Sequence, residues 1–91
     1  MPRPRSRKRI CFSPNVCYFK PRGVPLKKLE VVKLELEEVQ ALKLKNIEDF
    51  DQKECARKMN TSQSTFQRIL SSAYEKLSRA VVEGKAIQVE K

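Results

Sequence analysis

The chain has 91 residues, a formal net charge of +9 and three cysteines, and it contains no histidine. This length predicts one small domain, and an odd cysteine count without a C-x-x-C pair argues against a disulfide framework or a four-ligand zinc site. Cys11 and Cys17 could still pair with each other or share a metal, but no further ligands are evident. No apolar run reaches the roughly 18 residues of a membrane span, and no signal-peptide core follows the basic start.

The composition also argues against an enzyme. A chain without histidine lacks the commonest general base, and neither a Gly-rich phosphate loop nor a serine nucleophile elbow is present. The carboxylates are predicted mostly at solvent-facing helix positions. We therefore expect no catalytic residue, no metal and no cofactor, and a reduced, cytoplasmic setting without a membrane.

The positive charge is concentrated in the N-terminal third of the sequence. Residues 1–29 contain nine Lys or Arg residues and no acid, whereas residues 30–91 contain eleven of each sign. Such a block usually forms a tail or a face that meets a polyanion. The nine cations are Arg3, Arg5, Arg7, Lys8, Arg9, Lys20, Arg22, Lys27 and Lys28.

Residues 1–9, MPRPRSRKR, are predicted to form an extended, flexible arm. Prolines alternate here with basic residues, a composition that cannot bury a core. An arm of this kind can enter a minor groove or follow phosphates, and a solubilising tail is the alternative. The candidate DNA contacts of the arm are Arg3, Arg5, Arg7, Lys8 and Arg9.

Residues 10–34 are predicted to form a segment of strands and loops. The β-branched and aromatic runs Val16–Phe19 and Glu30–Leu34 favour strands, and the Pro- and Gly-containing stretch between them favours a loop. Tyr18 and Phe19 lie beside basic residues and could stack on bases. A position in the core is the commoner fate of such aromatics in a small domain.

Residues 35–91 are predicted to form a helix-turn-helix domain with a closing strand. A first helix from residue 36 to 47 has an acidic first turn and is expected to support the other two helices from behind, away from DNA. Its apolar positions are Leu36, Val39, Leu42, Leu44 and Ile47. Residues 48–51 are predicted to connect it to the second helix.

The stretch from Asp51 to Glu83 has the pattern of a short helix, a tight turn and a longer helix. Asp51 can cap the first of these helices, and Glu54, three residues on, is placed as a capping box requires. Asn60 tolerates the left-handed conformation of a sharp helix exit, and Thr61-Ser62 can cap the next helix. This plan is typical of a helix-turn-helix. Counted from Gln52, the apolar residues required at the fourth, eighth, fifteenth and eighteenth places are Cys55, Met59, Phe66 and Ile69.

The longer helix, Gln63 to Val82, is predicted to have one apolar face and one polar face. The predicted core stripe is Phe66, Ile69, Leu70, Ala73, Leu77, Ala80 and Val81. Short polar side chains and one Arg suit contacts with base edges and phosphates. The candidate DNA-binding residues of this helix are Ser62, Gln63, Ser64, Thr65, Gln67, Arg68 and Ser71. The alternative is an ordinary helical hairpin whose polar face meets only water.

The end of the sequence predicts a closing strand. Gly84 is a helix-ending signal, and alternation over Ala86–Val89 favours a strand that could pair with either of the two earlier strands. The distal apolar residues of the long helix, such as Leu77 and Val81, would pack on these strands or on another subunit. A homodimer is therefore left open.

The run from Leu34 to Leu77 resembles the promoter-reading C-terminal region, region 4, of bacterial sigma factors. The shared positions are Glu38, Ala41, Leu42, Leu44, Gln52, Glu54, Ala56, Ser62, Ser64, Thr65, Phe66 and Arg68. The whole chain is also similar to an uncharacterised family of small bacterial and archaeal proteins that are predicted to bind DNA. The shared positions there are Phe19, Lys20, Pro21, Gly23, Pro25, Leu26, Gly84, Lys85, Ala86 and Ile87.

The resemblance implies a mainly α fold: a three-helix, sigma region 4-like helix-turn-helix of the winged-helix-like superfamily with short flanking β-strands. It implies binding to double-stranded DNA, and we expect a nucleoid-associated transcription regulator. Two alternatives remain: a module that docks on RNA polymerase or a sigma factor, and an RNA-binding protein that uses the basic N-terminal third. The residues do not indicate a target sequence, an effector or the direction of regulation.

Overall fold

The computed structural model describes residues 9–13 and 16–90, with the side chains of residues 16–89. In this part the chain is mainly α-helical with a small flanking sheet, as predicted. The helices are α1 (Leu36–Leu42), α2 (Gln52–Lys58) and α3 (Gln63–Glu83). The strands are β1 (Arg9–Ser13), β2 (Val16–Phe19), β3 (Val31–Leu34) and β4 (Ala86–Glu90).

The helical core contains residues from all three helices. Ala41 and Leu44 come from the first helical segment, Cys55 and Ala56 from α2, and Phe66 and Leu70 from α3. Phe66 is fully buried, and burial of a phenylalanine side chain contributes about 1.5–3 kcal/mol. Leu44, Phe66 and Leu70 were predicted as core positions from their spacing, and Cys55 as an apolar place of the motif, whereas Ala41 was not predicted to be in the core.

Three predicted core positions are exposed. α1 continues into five residues of π-helix, Lys43–Ile47, and the change of bonding pattern shifts later residues around the axis, so that Ile47 faces solvent. Leu36, in the first turn of α1, is also exposed. Val81 is 75% exposed, because the sheet covers the side of α3 that contains Ala80 and the next residue is turned about 100° away.

The turn between α2 and α3 has the predicted backbone. Asp51 accepts a hydrogen bond from the Glu54 N–H at 2.8 Å and so caps α2. Asn60 adopts a left-handed conformation, with φ of 56°, and ends that helix. The prediction of a capping box is wrong in one respect. The Glu54 carboxylate pairs with Arg57 and Lys58 and does not accept from the backbone N–H of Asp51.

The four strands form one sheet in the order β1-β2-β4-β3. β4 is antiparallel to β2 and parallel to β3, so the closing strand pairs with both predicted candidates. One row across the sheet contains Arg9, Phe19, Ile87 and Val32. β3 begins at Val31, one residue later than predicted.

The sheet is fixed against α3 with a defined direction. The Glu30 carbonyl accepts from the Ala86 N–H at 2.9 Å, just beyond the end of α3. Three residues later, the Lys33 carbonyl accepts from Lys76 Nζ at 2.9 Å. β3 therefore runs antiparallel to α3, and the first residues of β3 and β4 lie at the C-terminal end of that helix.

Cysteine chemistry differs between the sheet and the helices. Cys17 is buried in β2 and takes part in a disulfide bond, and the β1–β2 register places Cys11 opposite it. Pairing of Cys11 with Cys17 was left open by the sequence, and one disulfide bond at Cys17 is not the multi-bond framework that the odd cysteine count argued against. Cys55 is a free cysteine in the helical core, and burial raises the pKa of its thiol.

Candidate nucleic-acid interface

The polar residues predicted for α3 lie together on its first turns. Ser62 is the N-cap, and its Oγ accepts from the Thr65 N–H at 3.1 Å. Its hydroxyl also donates to Thr65 Oγ1 at 2.9 Å. Thr65 is half-buried, whereas the other six candidates are exposed: Ser62, Gln63, Ser64, Gln67, Arg68 and Ser71. The structure thus brings the seven candidates into one surface, which we call the reading face.

The exposed side chains of the reading face differ in how firmly they are held. Gln67 Nε2 donates to Ser71 Oγ at 3.1 Å, one turn further along the helix. Within the described residues, the Arg68 guanidinium has neither a hydrogen bond nor an ion pair. Arg68 is thus free to donate to an external acceptor, and a guanidinium suits the paired acceptors of guanine or a phosphate.

Arg68 lies at the edge of a shallow groove between α1 and α3. Glu37, Glu38, Thr65 and Ser72 line the same groove. The Glu38 carboxylate is occupied by Lys76 and Ser72, at 2.9 and 2.6 Å. Glu37 is exposed. Its negative charge is the feature of this surface that would oppose a nearby phosphate.

The start of α2 lies next to the start of α3. Gln52 Nε2 donates to the carbonyl of Gln63 at 3.2 Å. Lys53, the next residue, is exposed and makes no ion pair within the described part of the chain. Lys53 is a further candidate phosphate contact that was not among the residues predicted from the sequence. Its place in the first turn of α2, directly after Gln52, was the signal that could have identified it.

Most other cations on the helices are paired with carboxylates. Arg57 and Lys58 share Glu54, and Arg79 lies between Glu75 and Glu83. The hydrogen bond from Arg57 lowers the pKa of Glu54 against a smaller opposing effect of burial. Among the residues with described side chains, the cations without an ion pair or hydrogen bond are Arg22, Lys27, Lys28, Lys45, Lys53 and Arg68.

The basic N-terminal third is described only from β1 onwards. Arg3, Arg5, Arg7 and Lys8 lie outside the described residues, and only the backbone of Arg9 is described. Their role as DNA contacts stays a prediction. Lys20 is not a free cation, because its Nζ donates to the Val24 carbonyl at 2.7 Å.

The two aromatic residues of β2 are half-buried in the sheet. The Tyr18 hydroxyl donates to Gln88 Oε1 on β4 at 3.3 Å. Phe19 lines a groove with the end of α3. Both positions agree better with packing than with base stacking.

Neither a metal-binding cluster nor a membrane-spanning helix is found in the described part of the chain. No group of three or more His, Cys, Asp or Glu side chains there is placed to hold a metal ion. None of the described helices is both long and apolar enough to cross a membrane.

Comparison with known proteins gives a family. A model described as "Protein of unknown function DUF134" matches residues 1–91. Curated relatives named "UPF0251 protein" are 48% identical over 90 residues in Halothermothrix orenii and 51% in Moorella thermoacetica. A third, from Desulforudis audaxviator, is 50% identical over 90 residues.

These relatives are longer than this chain. Each alignment covers 99% of the chain but 67%, 60% and 59% of the three relatives, respectively. The chain therefore spans about three fifths to two thirds of their length. No solved structure matches it significantly.

Proposed function

The chain belongs to the family of unknown function DUF134, and we propose that it is a sequence-specific DNA-binding protein that reads the major groove with α3. The helix-turn-helix is part of this proposal, as is a role in transcription regulation at the nucleoid. One observation carries the proposal. The apolar residues required by the motif form the core, and the exposed polar face of α3 directly follows the turn in which Asn60 is left-handed.

The spacing of the motif and the burial of its residues support the helix-turn-helix. Cys55 and Phe66 are buried, and Met59 and Ile69 pack against the same core. These are the four apolar places that the motif requires. Asn60 takes the left-handed place usually filled by glycine, and asparagine is among the residues that adopt it at least cost.

The chemistry of the reading face supports DNA as the ligand. Gln67 can donate to and accept from adenine, and Arg68 can donate twice to guanine. Serine hydroxyls and a lysine such as Lys53 suit phosphate oxygens, which fix the register of a protein on the duplex. The face lacks the aromatic residues that mark the centre of a protein–protein interface.

The proposal is tested by selecting binding sites from random duplex DNA and then titrating variants on the selected site and on single-base changes of it. Arg68→Ala should cost about 1–3 kcal/mol and relax the preference at one base position. Arg79→Ala is the matched control, because Arg79 is also an exposed arginine of α3 but lies beyond the reading face. It should change binding little.

Lys53→Ala distinguishes a contact that only positions the protein on the duplex from one that reads the base sequence. If Lys53 contacts a phosphate, losing that contact should weaken binding to all sequences alike. It should also lower the salt dependence of the affinity by about one counterion. Glu37→Gln should strengthen binding, since it removes a negative charge beside Arg68. If selection enriches no sequence and Arg68→Ala behaves as Arg79→Ala does, the proposal is wrong.

A second candidate function is docking on another protein, such as RNA polymerase or a sigma factor. Val81 and Val82 near the end of α3 are 75% and 82% exposed. Adjacent exposed valines are typical of contact surfaces. Co-sedimentation with purified polymerase, with Val82→Lys as the disrupting variant, tests this alternative without reference to DNA.

A further inference from the structure

The end of the fold opposite the reading face is where four strand termini meet. β2 ends at Phe19, and β3 and β4 begin at Val31 and Ala86, close to the C-cap Gly84 of α3. β1 also begins here, since Arg9 lies in the same row as Phe19. Residues 20–30 connect β2 to β3, which flank β4 on either side. They therefore have to pass the end of β4.

Residues 20–29 of this connection, which Glu30 follows, are called the basic loop below. It contains Arg22, Lys27 and Lys28, which are exposed, and no acidic residue. Within the described residues none of the three has an ion pair or a hydrogen bond through its side chain. Glu30, which follows the loop in the chain, is paired with Lys85 at 2.8 Å, and Lys85 also meets Glu83 at 3.1 Å.

The basic loop is held in shape by its own hydrogen bonds. Lys20 Nζ donates to the Val24 carbonyl at 2.7 Å. A short 3-10 turn follows, in which the N–H of Lys28 donates to the Pro25 carbonyl at 3.0 Å. Lysines 27 and 28 lie in this turn. A preformed loop pays less conformational entropy when its cations meet a phosphate backbone.

The basic loop begins at the C-terminal end of α3, away from the reading face. Its first residues, Lys20 and Pro21, line a groove with Ala80, Val81 and Lys85. Ala80 follows Ser71, the last residue of the reading face, by nine positions, or about two and a half helical turns, and so faces the opposite side. The axial distance from Gln67 to Ala80 is about 20 Å at 1.5 Å per residue.

This separation decides which nucleic acid the loop can meet. DNA is stiff over roughly 150 base pairs, so a duplex that lies on the reading face does not bend round α3 to reach the side of Ala80 at the other end of the helix. The distance is also greater than the screening length of about 8 Å at physiological salt. The two surfaces should therefore act independently of each other.

We propose that the basic loop binds the phosphate backbone of a second DNA duplex, so that one molecule bridges two DNA segments. The inference rests on the proposed function for the first segment, which α3 reads. The second segment is bound without sequence preference. Arg22, Lys27 and Lys28 would contact phosphates, and contacts to phosphates carry no information about the bases.

The test measures capture of a second duplex. A duplex with the selected site is fixed to beads, the full chain is bound to it, and a fluorescent duplex of unrelated sequence is added. The combined variant Arg22→Ala, Lys27→Ala, Lys28→Ala should reduce capture at least tenfold and change affinity for the bead-bound site less than twofold. The salt dependence of capture should fall by two to three counterions, at about 0.9 per contact.

A charge-preserving variant controls for folding and specific contacts. Arg22→Lys, Lys27→Arg, Lys28→Arg should capture the second duplex as the unaltered protein does. Capture that persists in the triple alanine variant would overturn the inference, and would point instead to bridging by protein dimers or to capture by the basic arm of residues 1–9. The inference would also be overturned if the loop captured single-stranded RNA of equal length but did not capture duplex DNA.

The failure of this inference can be told apart from that of the proposed function. The variant Gln67→Ala, Arg68→Ala removes reading but leaves the basic loop intact, so it should still bind duplexes weakly and without preference. Specific binding without capture contradicts the bridging inference alone. If binding is weak and only the substitutions in the basic loop reduce it, the reading function alone is contradicted.

Discussion

Glu38 and Lys76 are 38 residues apart in the chain, yet the carboxylate and the ammonium group meet at 2.9 Å. Glu38 is only 4% exposed. It also accepts hydrogen bonds from the Ser72 hydroxyl and from the N–H of Glu35. The pair joins the start of α1 to the middle of α3, while Lys76 extends the link to β3.

Glu38→Gln should destabilise the protein by about 1–3 kcal/mol, because it leaves the Lys76 ammonium without its charged partner in a partly buried site. Urea unfolding followed by circular dichroism measures the change. Glu37→Gln, at the exposed neighbouring position, is the control and should change stability by less than about 0.5 kcal/mol. Equal stabilities of the two variants would contradict a structural role for the pair.

The same residue should make stability depend on pH. Burial alone would raise the pKa of Glu38, but the hydrogen bonds from Lys76, Ser72 and Glu35 outweigh it and lower the pKa below its ordinary value of 4.5. A carboxyl whose pKa is lower in the folded state contributes stability above pH 4.5, and this contribution is lost as the pH falls further. Glu38→Gln should therefore show a shallower loss of stability below that pH in acid titration, and a parallel loss would argue against it.

Asn60→Ala should cost about 1 kcal/mol, because alanine is strained in the left-handed conformation at this turn. Asn60→Gly should be neutral or slightly stabilising, because glycine adopts a positive φ without strain. Thermal unfolding of both variants tests this pair of outcomes. If alanine and glycine had the same effect, the backbone of the turn would have to differ from the one described.

Deletion of residues 1–8 should weaken binding to all duplexes alike. The four cations removed would each account for about 0.9 in the dependence of affinity on salt. β1 begins at the C-terminal end of α3, about 30 Å from its first residue at 1.5 Å per residue. Eight extended residues span at most about 29 Å, so we expect no change in the order of preferred sites. An unchanged salt dependence would identify the arm as a solubilising tail.

A homodimer is expected to form through the end of α3. Val81 and Val82 are exposed there, and Glu75, Arg79 and Glu83 alternate in charge along the same stretch. A second copy in antiparallel orientation would cover the valines of both chains at once. Sedimentation should show a dimer that Val82→Glu dissociates and that Gln40→Glu, at an exposed position of α1, does not. A monomer at tens of micromolar would leave the valines available to a different protein.

The sequence predicted local features better than relationships between distant elements. The cap at Asp51, the left-handed Asn60 and the bounds of β2 follow from residue preferences and short-range spacing, which the sequence displays directly. The burial of Glu38 does not, because it depends on Lys76 and Ser72 arriving from another helix. An acidic residue in a first turn usually remains in solvent, so no local pattern distinguishes it from Glu37.

The error at Val81 has a related cause. Helical periodicity predicts which residues of α3 form its apolar stripe. How much of that stripe is buried depends on the elements that pack against it, which periodicity does not show. β3 and β4 pack against α3, and Phe19 of β2 lines a groove at its end, yet Val81 remains exposed. The reading face could be predicted because its residues are consecutive on one helix, whereas the basic loop acquires its position from a strand order that the sequence does not reveal.

The central position of β4 has a consequence for the order of folding. β4 follows every other described element in the chain, yet it lies between β2 and β3, and the Tyr18–Gln88 contact spans 70 residues. The helices can form from contacts between near neighbours, whereas the sheet requires closure of a long loop, which slows its formation. We therefore expect the helical unit to form first and the sheet to join it late. Amide exchange should detect this as a sheet that opens while the helices remain protected.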